Sequence, residues 1–525
     1  MLSEASRRQH WAPADSRIGE EPDSAPIHVD WLIDNSEAYE SLIRAVRDAR
    51  ESIWVSQLAF DADCRAYASD KAESEADAPG ESLLDEILTT CGQHRVSVKI
   101  LLNSTLLLNT RRPLLRFLAG RKLGAELIEV RGISRFPQLL HAKMVIIDER
   151  RAFLMGSPFV NGYWDTPSHE PVDHRRPRRE LCGRPVHDVS VGVRGPVVHE
   201  LAEIFARLWN GAGHREWPHE TRIEPRRNRR VAVKYGVNVV TTEPRASGGS
   251  RDPGSLETLD ALLDGIQRAR SLIYIEHQYL SSRPVVYALR RALDRERALE
   301  IILVFNQNPD VTAYRRWQYA RLADTGLLTH PRVGVFALWS TSSRSGSRQA
   351  INQVFVHSKV VIIDDEWAMV GSANLDGASL DSYGDDFSGS LARRVFRDVR
   401  NFDVSLVFTG RKSVRGPNPI RDLRERLWME HLGPGSLQAV ERGTGVQLAE
   451  WKALASRNVA ALNGRAQSDG VSLSGSFILP YSPSPRPRAQ LADVGVRPSA
   501  PIDLRFDPGW LEVNFSPNWI RNMFL

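Results

Sequence analysis

The sequence is poor in cysteine and has no long apolar run. Of its 525 residues, three are cysteines, Cys64, Cys91 and Cys182, and no two have the C-x-x-C spacing. Neither a disulfide framework nor a cysteine-based zinc site is therefore expected. No window approaches the roughly 18 uninterrupted apolar residues of a membrane span, and residues 1–17 lack the apolar core of a secretory signal. We expect a soluble chain from a reducing compartment, with no metal site.

A strong excess of one charge is also missing. The 69 basic side chains nearly balance the 64 acidic ones, which leaves a formal charge of +5. This balance does not call for a nucleic-acid partner. The length exceeds what one ordinary core supports, so either two domains or one duplicated domain is expected.

The chain repeats itself. HAKMVIIDERRAFLMGS at 141–157 matches HSKVVIIDDEWAMVGS at 357–372, and the two histidines are 216 residues apart. DVSVGVRG, which begins at Asp188, pairs with DVSLVFTG, which begins at Asp403, at an offset of 215. Matches that keep their register over this distance indicate two homologous halves.

Each half alternates amphipathic helical stretches with short runs rich in Val and Ile, which is typical of helices packed on a buried sheet. We predict an α/β fold with two homologous mixed-sheet halves, packed with pseudo-two-fold symmetry. The predicted segments are an N-terminal extension, a first half, a polar linker, a second half and a C-terminal extension, at 1–29, 30–210, 211–232, 233–433 and 434–525.

Both copies have the spacing His-x-Lys-x4-Asp. On a strand, the period of two places the His and the Lys on one face. If the halves pack through equivalent faces, the two pairs converge, and two imidazoles with two ammonium groups suit a phosphate anion. The converging residues are His141, Lys143, His357 and Lys359.

This doubled motif resembles the phospholipase D superfamily, whose mark is two copies of H-x-K-x4-D followed by G-S-x-N. The second copy fits fully, with Asp364, Ser372 and Asn374 after its His and Lys. IYIEHQYL at 273–280, which contains Glu276 and Gln278, is similar to a strand motif of the eukaryotic-type members. The resemblance covers residues 30 to 433 and implies a duplicated phospholipase D-like fold.

The resemblance implies catalysis without a metal or cofactor. His141 would attack phosphorus to form a covalent phosphohistidine, and His357 would serve as general acid and then general base. Lys143, Lys359 and Asn374 would hold the nonbridging oxygens. Ser157, Ser372, Glu276 and Gln278 are further candidates for substrate binding.

The same resemblance implies a carboxylate from the opposite half behind each catalytic histidine. Asp188 would serve His357 and Asp403 would serve His141, with Asp385 or Asp386 as alternatives to Asp403. The motif aspartates, Asp148 and Asp364, are counted among the catalytic candidates, although a role in their turns is favoured.

The first copy departs from the family pattern. It is one residue longer before its Gly-Ser, and Phe159 stands where the family has Asn. In the second copy, Ala378 replaces an arginine common in eukaryotic-type members. These departures leave the first half's phosphate ligands open beyond Ser157.

The leading hypothesis is a phospholipase D that hydrolyses the distal phosphodiester of glycerophospholipids, such as phosphatidylcholine, with or without transfer to other alcohols. The alternatives are a cardiolipin synthase-like phosphatidyl transferase, a nuclease of the family and a non-catalytic phosphate-binding module. We expect a monomer that meets phospholipid at a membrane surface and does not bind nucleic acid. We expect it in the cytoplasm or peripherally on a membrane, or exported by a route that needs no signal peptide.

Overall fold

The structure is a computed structural model. It describes residues 27–67, 80–105, 109–120, 127–134, 138–177, 183–212, 222–225, 236–245, 254–309, 312–342, 350–382, 397–410, 418–433, 447–464, 473, 475–497 and 503–504. Asp385 and Asp386 lie outside these residues, as does most of the predicted linker.

The described strands and helices alternate along the chain. The strands are β1 (His28–Ile33), β2 (Ser52–Ser56), β3 (Arg65–Ala66), β4 (Glu81–Ser82), β5 (Ser97–Asn103), β6 (Ile128–Ile133), β7 (Leu139–Leu140), β8 (Met144–Ile147), β9 (Arg151–Leu154), β10 (Val186–His187), β11 (Val189–Arg194), β12 (Gly236–Glu243), β13 (Ser255–Leu256), β14 (Leu272–His277), β15 (Glu300–Phe305), β16 (Val333–Ser342), β17 (Ala350–Gln353), β18 (Phe355–Val356), β19 (Lys359–Ile363), β20 (Trp367–Gly371), β21 (Asn401–Thr409), β22 (Gly475–Pro480) and β23 (Asp503–Leu504). The helices are α1 (Asp34–Arg47), α2 (Leu83–His94), α3 (Arg111–Ala119), α4 (Val197–Gly211), α5 (Glu257–Arg268), α6 (Arg283–Arg295), α7 (Thr312–Asp324), α8 (Pro419–Leu432), α9 (Gln447–Leu462) and α10 (Pro487–Asp493).

The two main sheets share one strand order, which confirms the predicted duplication. The first sheet runs β1-β11-β9-β8-β2-β5-β6, and the second contains β12-β21-β20-β19-β14-β15-β16 in the equivalent places. The directions also agree. β2 pairs in parallel with β5 and antiparallel with β8, and β14 does the same with β15 and β19. Each half is therefore a mixed sheet, as predicted.

Successive side chains of each strand point to opposite faces of the sheet, so each strand contributes to two apolar layers. In β8, Met144 and Ile146 belong to a core shared by both halves, whereas Val145 and Ile147 pack against the first half's own helices α1 and α2. β19 repeats this division, because its residues Val360 and Ile362 face the shared core while Val361 and Ile363 pack in the second half's outer core. This burial on both faces explains why the runs MVII and VVII contain no polar residue.

Described parts of the chain after residue 433 pack on the second half. β22 pairs antiparallel with β16, and Trp451 of α9 is fully buried in the shared core. The described part of the predicted C-terminal extension thus enlarges the second sheet. The predicted boundaries of all five segments otherwise stay predictions.

Candidate active site

Two short parallel bridges join the halves and bring the candidate residues together. β7 pairs with the start of β21, and β10 pairs with β18. His141 follows β7, and its backbone N–H donates to Phe402 O at 3.0 Å, next to Asp403. On the other side, the N–H of His357 donates to His187 O at 2.7 Å, next to Asp188. Each histidine therefore lies beside a carboxylate of the opposite half.

These bridges modify the strand placement that the sequence suggested. His141, Ala142 and Lys143 precede β8, which begins at Met144, and His357 precedes β19. The reason is that the residues just before each histidine pair with the other half instead of continuing the strand.

His141 is held by Asp403. Its Nδ1 lies 2.6 Å from Asp403 Oδ1, and both side chains are buried. The hydroxyl of Ser372 donates to the same Oδ1 at 2.8 Å. This carboxylate fixes the proton on Nδ1 and leaves Nε2 with a lone pair. The sequence left three candidates for the carboxylate that holds His141, namely Asp403, Asp385 and Asp386, and Asp403 is the one that contacts it.

His357 has the equivalent arrangement with Asp188. Its Nδ1 lies 3.0 Å from Asp188 Oδ2, and the Ser157 hydroxyl donates to that same oxygen. A side chain at Gly156 would overlap the Asp188 carboxylate, so glycine is required for this close approach. His357 Nε2 is buried and has no hydrogen-bond partner among the described residues.

Each of the two lysines follows its histidine by two residues and lies close to it. Lys143 Nζ is 3.2 Å from His141 Nε2 and donates to His141 O at 3.1 Å. Lys359 Nζ donates to the backbone oxygen of His357 and, at 3.3 Å, to Gln278 Oε1. Both ammonium groups are buried beside the histidines, as the sequence predicts.

The crowding of buried cations shifts the pKa values. Burial, followed by Lys143, lowers the pKa of His141 to about 4, and burial followed by Lys359 lowers that of His357 to about 3. Burial and Lys359 lower the pKa of Lys143 to about 7. At neutral pH these pKa values give two neutral imidazoles and a partly charged Lys143, and a bound anion would draw protons into the site.

A small cavity opens beside His141. Asn374, Gln278 and two stacked tyrosines, Tyr279 and Tyr314, contribute to its wall, and the tyrosine ring centroids are 4.2 Å apart. Asn374 Oδ1 is buried and has no hydrogen-bond partner among the described residues. The sequence predicted Asn374 and Gln278 as substrate ligands and missed the tyrosines, although Tyr279 lies within the IYIEHQYL motif.

The first half offers no counterpart to Asn374. Phe159, at the equivalent position, is fully buried and packs edge-on against Phe60 and Tyr39. The cavity is therefore asymmetric, with its polar amide on the second half's side.

Several sequence assignments need correction. Asp148 accepts backbone N–H bonds from residues 50–52, and Asp364 accepts them from residues 270–272, at the far ends of β8 and β19 from the histidines. Both have positive φ, of 52° and 55°, so they organise turns and do not belong among the catalytic residues.

The assignments of Ser157, Ser372 and Glu276 to substrate binding are corrected as well. Both serine hydroxyls point to the carboxylates behind the histidines, which makes them positioning residues. Glu276 contacts His187 and His431 at 2.7 and 2.8 Å in a separate buried cluster. The hydroxyl of Tyr274 also donates to Glu276 in this cluster, at 2.7 Å.

Comparisons with known proteins agree with the duplicated motif. Residues 262–387 match the family described as "Cardiolipin synthase, PLD-like domain". Phospholipase D A of Dictyostelium discoideum is 25% identical over 354 residues, which cover 56% of this chain and 27% of that protein. Cardiolipin synthase B of Escherichia coli K12 is 26% identical over 275 residues, which cover 51% of this chain and 54% of that protein.

A solved structure, phosphatidylserine synthase of Haemophilus influenzae Rd KW20, aligns with a TM-score of 0.47 at 14% identity, over 77% of this chain and 85% of that one. The family match and these relatives support the resemblance to the phospholipase D superfamily. The matches span about a quarter to a half of the curated relatives just named. Among the described helices, none is both long and apolar enough to cross a bilayer.

Proposed function

We propose that the protein is a phospholipase D, which cleaves the distal phosphodiester bond of a glycerophospholipid through a covalent phosphohistidine. One observation carries the proposal. Two histidines lie at the interface, each with its Nδ1 on a buried carboxylate of the opposite half and a lysine beside it. They are close enough that the lysine of each half also lowers the pKa of the other half's histidine. This arrangement supplies a nucleophile, a proton carrier and an anion site together.

In the first step, the Nε2 lone pair of His141 attacks phosphorus. The bond from phosphorus to the head-group oxygen breaks as His357, which gains a proton on Nε2 when the phosphodiester anion binds, delivers that proton to the oxygen. Two observations support His141 as the nucleophile. It lines the cavity, and its Nδ1–H stays hydrogen-bonded to Asp403 while positive charge builds on the ring. The products are the free head-group alcohol and a phosphatidyl group on His141.

In the second step, neutral His357 takes a proton from water, whose oxygen attacks phosphorus. The phosphorus–nitrogen bond breaks, phosphatidic acid leaves, and both histidines return to their starting states. Lys143, Lys359 and Asn374 hold the nonbridging oxygens through both steps, where their donors stabilise the five-coordinate transition state. Lys143 Nζ contacts His141 Nε2, and a bound phosphate would draw the ammonium group away and free that nitrogen.

The cavity wall favours a cationic head group. Tyr279 and Tyr314 lie beside His141, and the face of an aromatic ring attracts a quaternary ammonium such as choline. Asp376 and Arg400 in the same wall add one acidic and one basic side chain, so the tyrosines carry this argument. Phosphatidylcholine is therefore the first substrate to test.

The direct test is choline release from phosphatidylcholine vesicles by the full chain. We expect release without added divalent cations, and a loss of at least about a thousandfold in kcat in both His141→Asn and His357→Asn. His199→Asn is the matched control, because that histidine lies on α4 and pairs with Glu203 far from the two bridges. Full activity in either active-site variant would refute the mechanism.

A phosphatidyl transferase is the second candidate, and the matches to cardiolipin synthases favour it. It shares the phosphohistidine and differs in the second step, where an alcohol replaces water. Incubation with phosphatidylglycerol separates the two. Cardiolipin and glycerol as the main products would identify the transferase, whereas phosphatidic acid would identify the hydrolase.

A further inference from the structure

A second cluster of buried titratable side chains lies next to the active site. It consists of Asp34 at the start of α1, His169 and His187 from the first half, and Glu430 on α8 of the second. One donor atom from each of the four lies within 4.8 Å of every other. The mechanism above uses none of them.

Only one of the four contacts between histidine and carboxylate in this cluster, His169 Nε2 to Glu430 Oε1 at 3.1 Å, has hydrogen-bond geometry. His187 Nδ1 lies 2.7 Å from Glu430 Oε1 and 3.1 Å from Asp34 Oδ1, yet it has no hydrogen-bond partner among the described residues. Asp34 Oδ2, 3.5 Å from His169 Nε2, also has none. Both side chains are fully buried. Unsatisfied donors and acceptors in such a place need a further partner.

The spacing fits a tetrahedral metal ion. Zinc binds imidazole nitrogen and carboxylate oxygen at about 2.0–2.2 Å, so neighbouring ligand atoms are about 3.3–3.5 Å apart. The four contacts between histidine and carboxylate are 2.7, 3.1, 3.1 and 3.5 Å. A small movement of each side chain around an ion would bring them to that spacing.

The outer contacts also suit metal ligation. His169 presents Nε2 to the cluster while its Nδ1 lies 3.0 Å from Asp165. His187 presents Nδ1, and its Nε2 lies 2.7 Å from Glu276. A carboxylate on the far nitrogen of each histidine fixes the tautomer and strengthens the ligand, which is the usual outer-shell arrangement of histidine metal sites.

Charge provides another argument. Four carboxylates, those of Asp34, Asp165, Glu276 and Glu430, are buried in or against the cluster, and Arg176 contacts Asp165 at 2.5 Å. With the neutral imidazoles that metal ligation requires, this leaves three uncompensated negative charges out of water, and a divalent cation removes two of them. Burial lowers and the surrounding carboxylates raise the pKa values of His169 and His187, with a net increase for both, so protonated histidines are the competing way to neutralise the cluster.

We propose that Asp34, His169, His187 and Glu430 bind a divalent transition-metal ion, zinc foremost, at the interface of the two halves. The ion is structural, because all four protein ligands close its coordination shell. The ion would also stabilise the active site through Asp34. Asp34 N–H donates to Asp188 O at 2.8 Å, and Asp188 N–H donates to Asp34 Oδ1 at 3.2 Å, so the ion would fix the carboxylate that holds His357.

Metal content of the full chain, made without a polyhistidine tag, tests this proposal. After incubation with zinc and gel filtration, we expect about one zinc per chain by mass spectrometry. Cobalt loaded in its place should give the intense visible absorption of tetrahedral Co(II). Prolonged chelation should lower Tm, and zinc should restore it.

Matched variants locate the ion. Glu430→Gln should lose it, while Glu425→Gln, on the more exposed face of the same helix, should keep it. His141→Asn should also keep it, which separates this site from the phosphodiester site. Zinc well below one per chain together with a Tm indifferent to zinc, or zinc retained in Glu430→Gln, would overturn the proposal and leave a cluster neutralised by protonated histidines.

Discussion

Anion binding to the active site should draw in protons, and Lys143 sets how many. Burial and Lys359 lower the pKa of Lys143 in the empty site from 10.5 to about 7. A phosphodiester anion beside Nζ favours the charged form and raises that pKa again. At a pH above 7, binding must therefore charge a lysine that was mostly neutral.

The magnitude follows from the pKa. A group with a pKa of about 7 is about nine-tenths charged at pH 6 and about one-tenth charged at pH 8. Binding at pH 8 therefore takes up about 0.9 proton at Lys143, against about 0.1 at pH 6. His357, whose pKa of about 3 leaves it neutral at both pH values, adds the same amount to each if the anion protonates it. The expected difference between the two pH values is about 0.8 proton.

Calorimetry measures this difference. The ligand is a non-cleavable phosphonate analogue of glycerophosphocholine, whose single charge does not titrate near neutrality. Its binding heat, taken in buffers of different ionisation enthalpy, gives the protons taken up at each pH. Lys143→Arg should abolish the pH difference because a guanidinium stays charged throughout. Lys99→Arg is the control, since Lys99 pairs with Glu129 on the first sheet. Equal uptake at both pH values in the wild type would refute the reasoning.

Three further predictions concern positioning and specificity. Asp188→Asn should lower kcat by about 10³–10⁴-fold, because the amide no longer fixes the Nδ1 proton of His357. Asp364→Ala should lower the free energy of unfolding by about 1–3 kcal/mol and leave kcat within about threefold of the wild type. Equal losses of kcat in the two variants would contradict the turn assignment of Asp364. Gly156→Ala should cost about a hundredfold in kcat with little change in KM, because its Cβ displaces the Asp188 carboxylate, and unchanged kinetics would show that the carboxylate needs no such approach. Tyr314→Ala should raise KM for phosphatidylcholine about tenfold and leave KM for phosphatidylglycerol nearly unchanged, and an equal effect on both lipids would remove the tyrosine from head-group recognition.

Local pattern was enough to predict the duplication, whereas the pairing of each histidine with a distant carboxylate needed the family resemblance. The second sheet repeats the strand order of the first sheet, and in both β8 and β19 every second apolar residue faces the shared core. The pairing of His357 with Asp188 followed from the family resemblance, and the parallel bridge between β10 and β18 gives its physical basis.

What pattern could not predict depends on contacts between remote residues. Ser157 and Ser372 look like phosphate ligands in sequence, and only the fold shows their hydroxyls on Asp188 and Asp403. The cluster around His187 was missed because its members are scattered from residue 34 to residue 430, with no ligand spacing to mark them. Glu276 was misplaced for the same reason, since its partners come from other elements.

The covalent intermediate is the most direct test of the account. Wild-type protein mixed with short-chain phosphatidylcholine and quenched in base should carry a phosphatidyl group, found by mass spectrometry on the peptide that contains His141. The adduct should be absent from His141→Asn and should persist in His357→Asn given a substrate with a good leaving group. No adduct under conditions of turnover, or an adduct on His357 alone, would contradict the proposed roles of the two histidines.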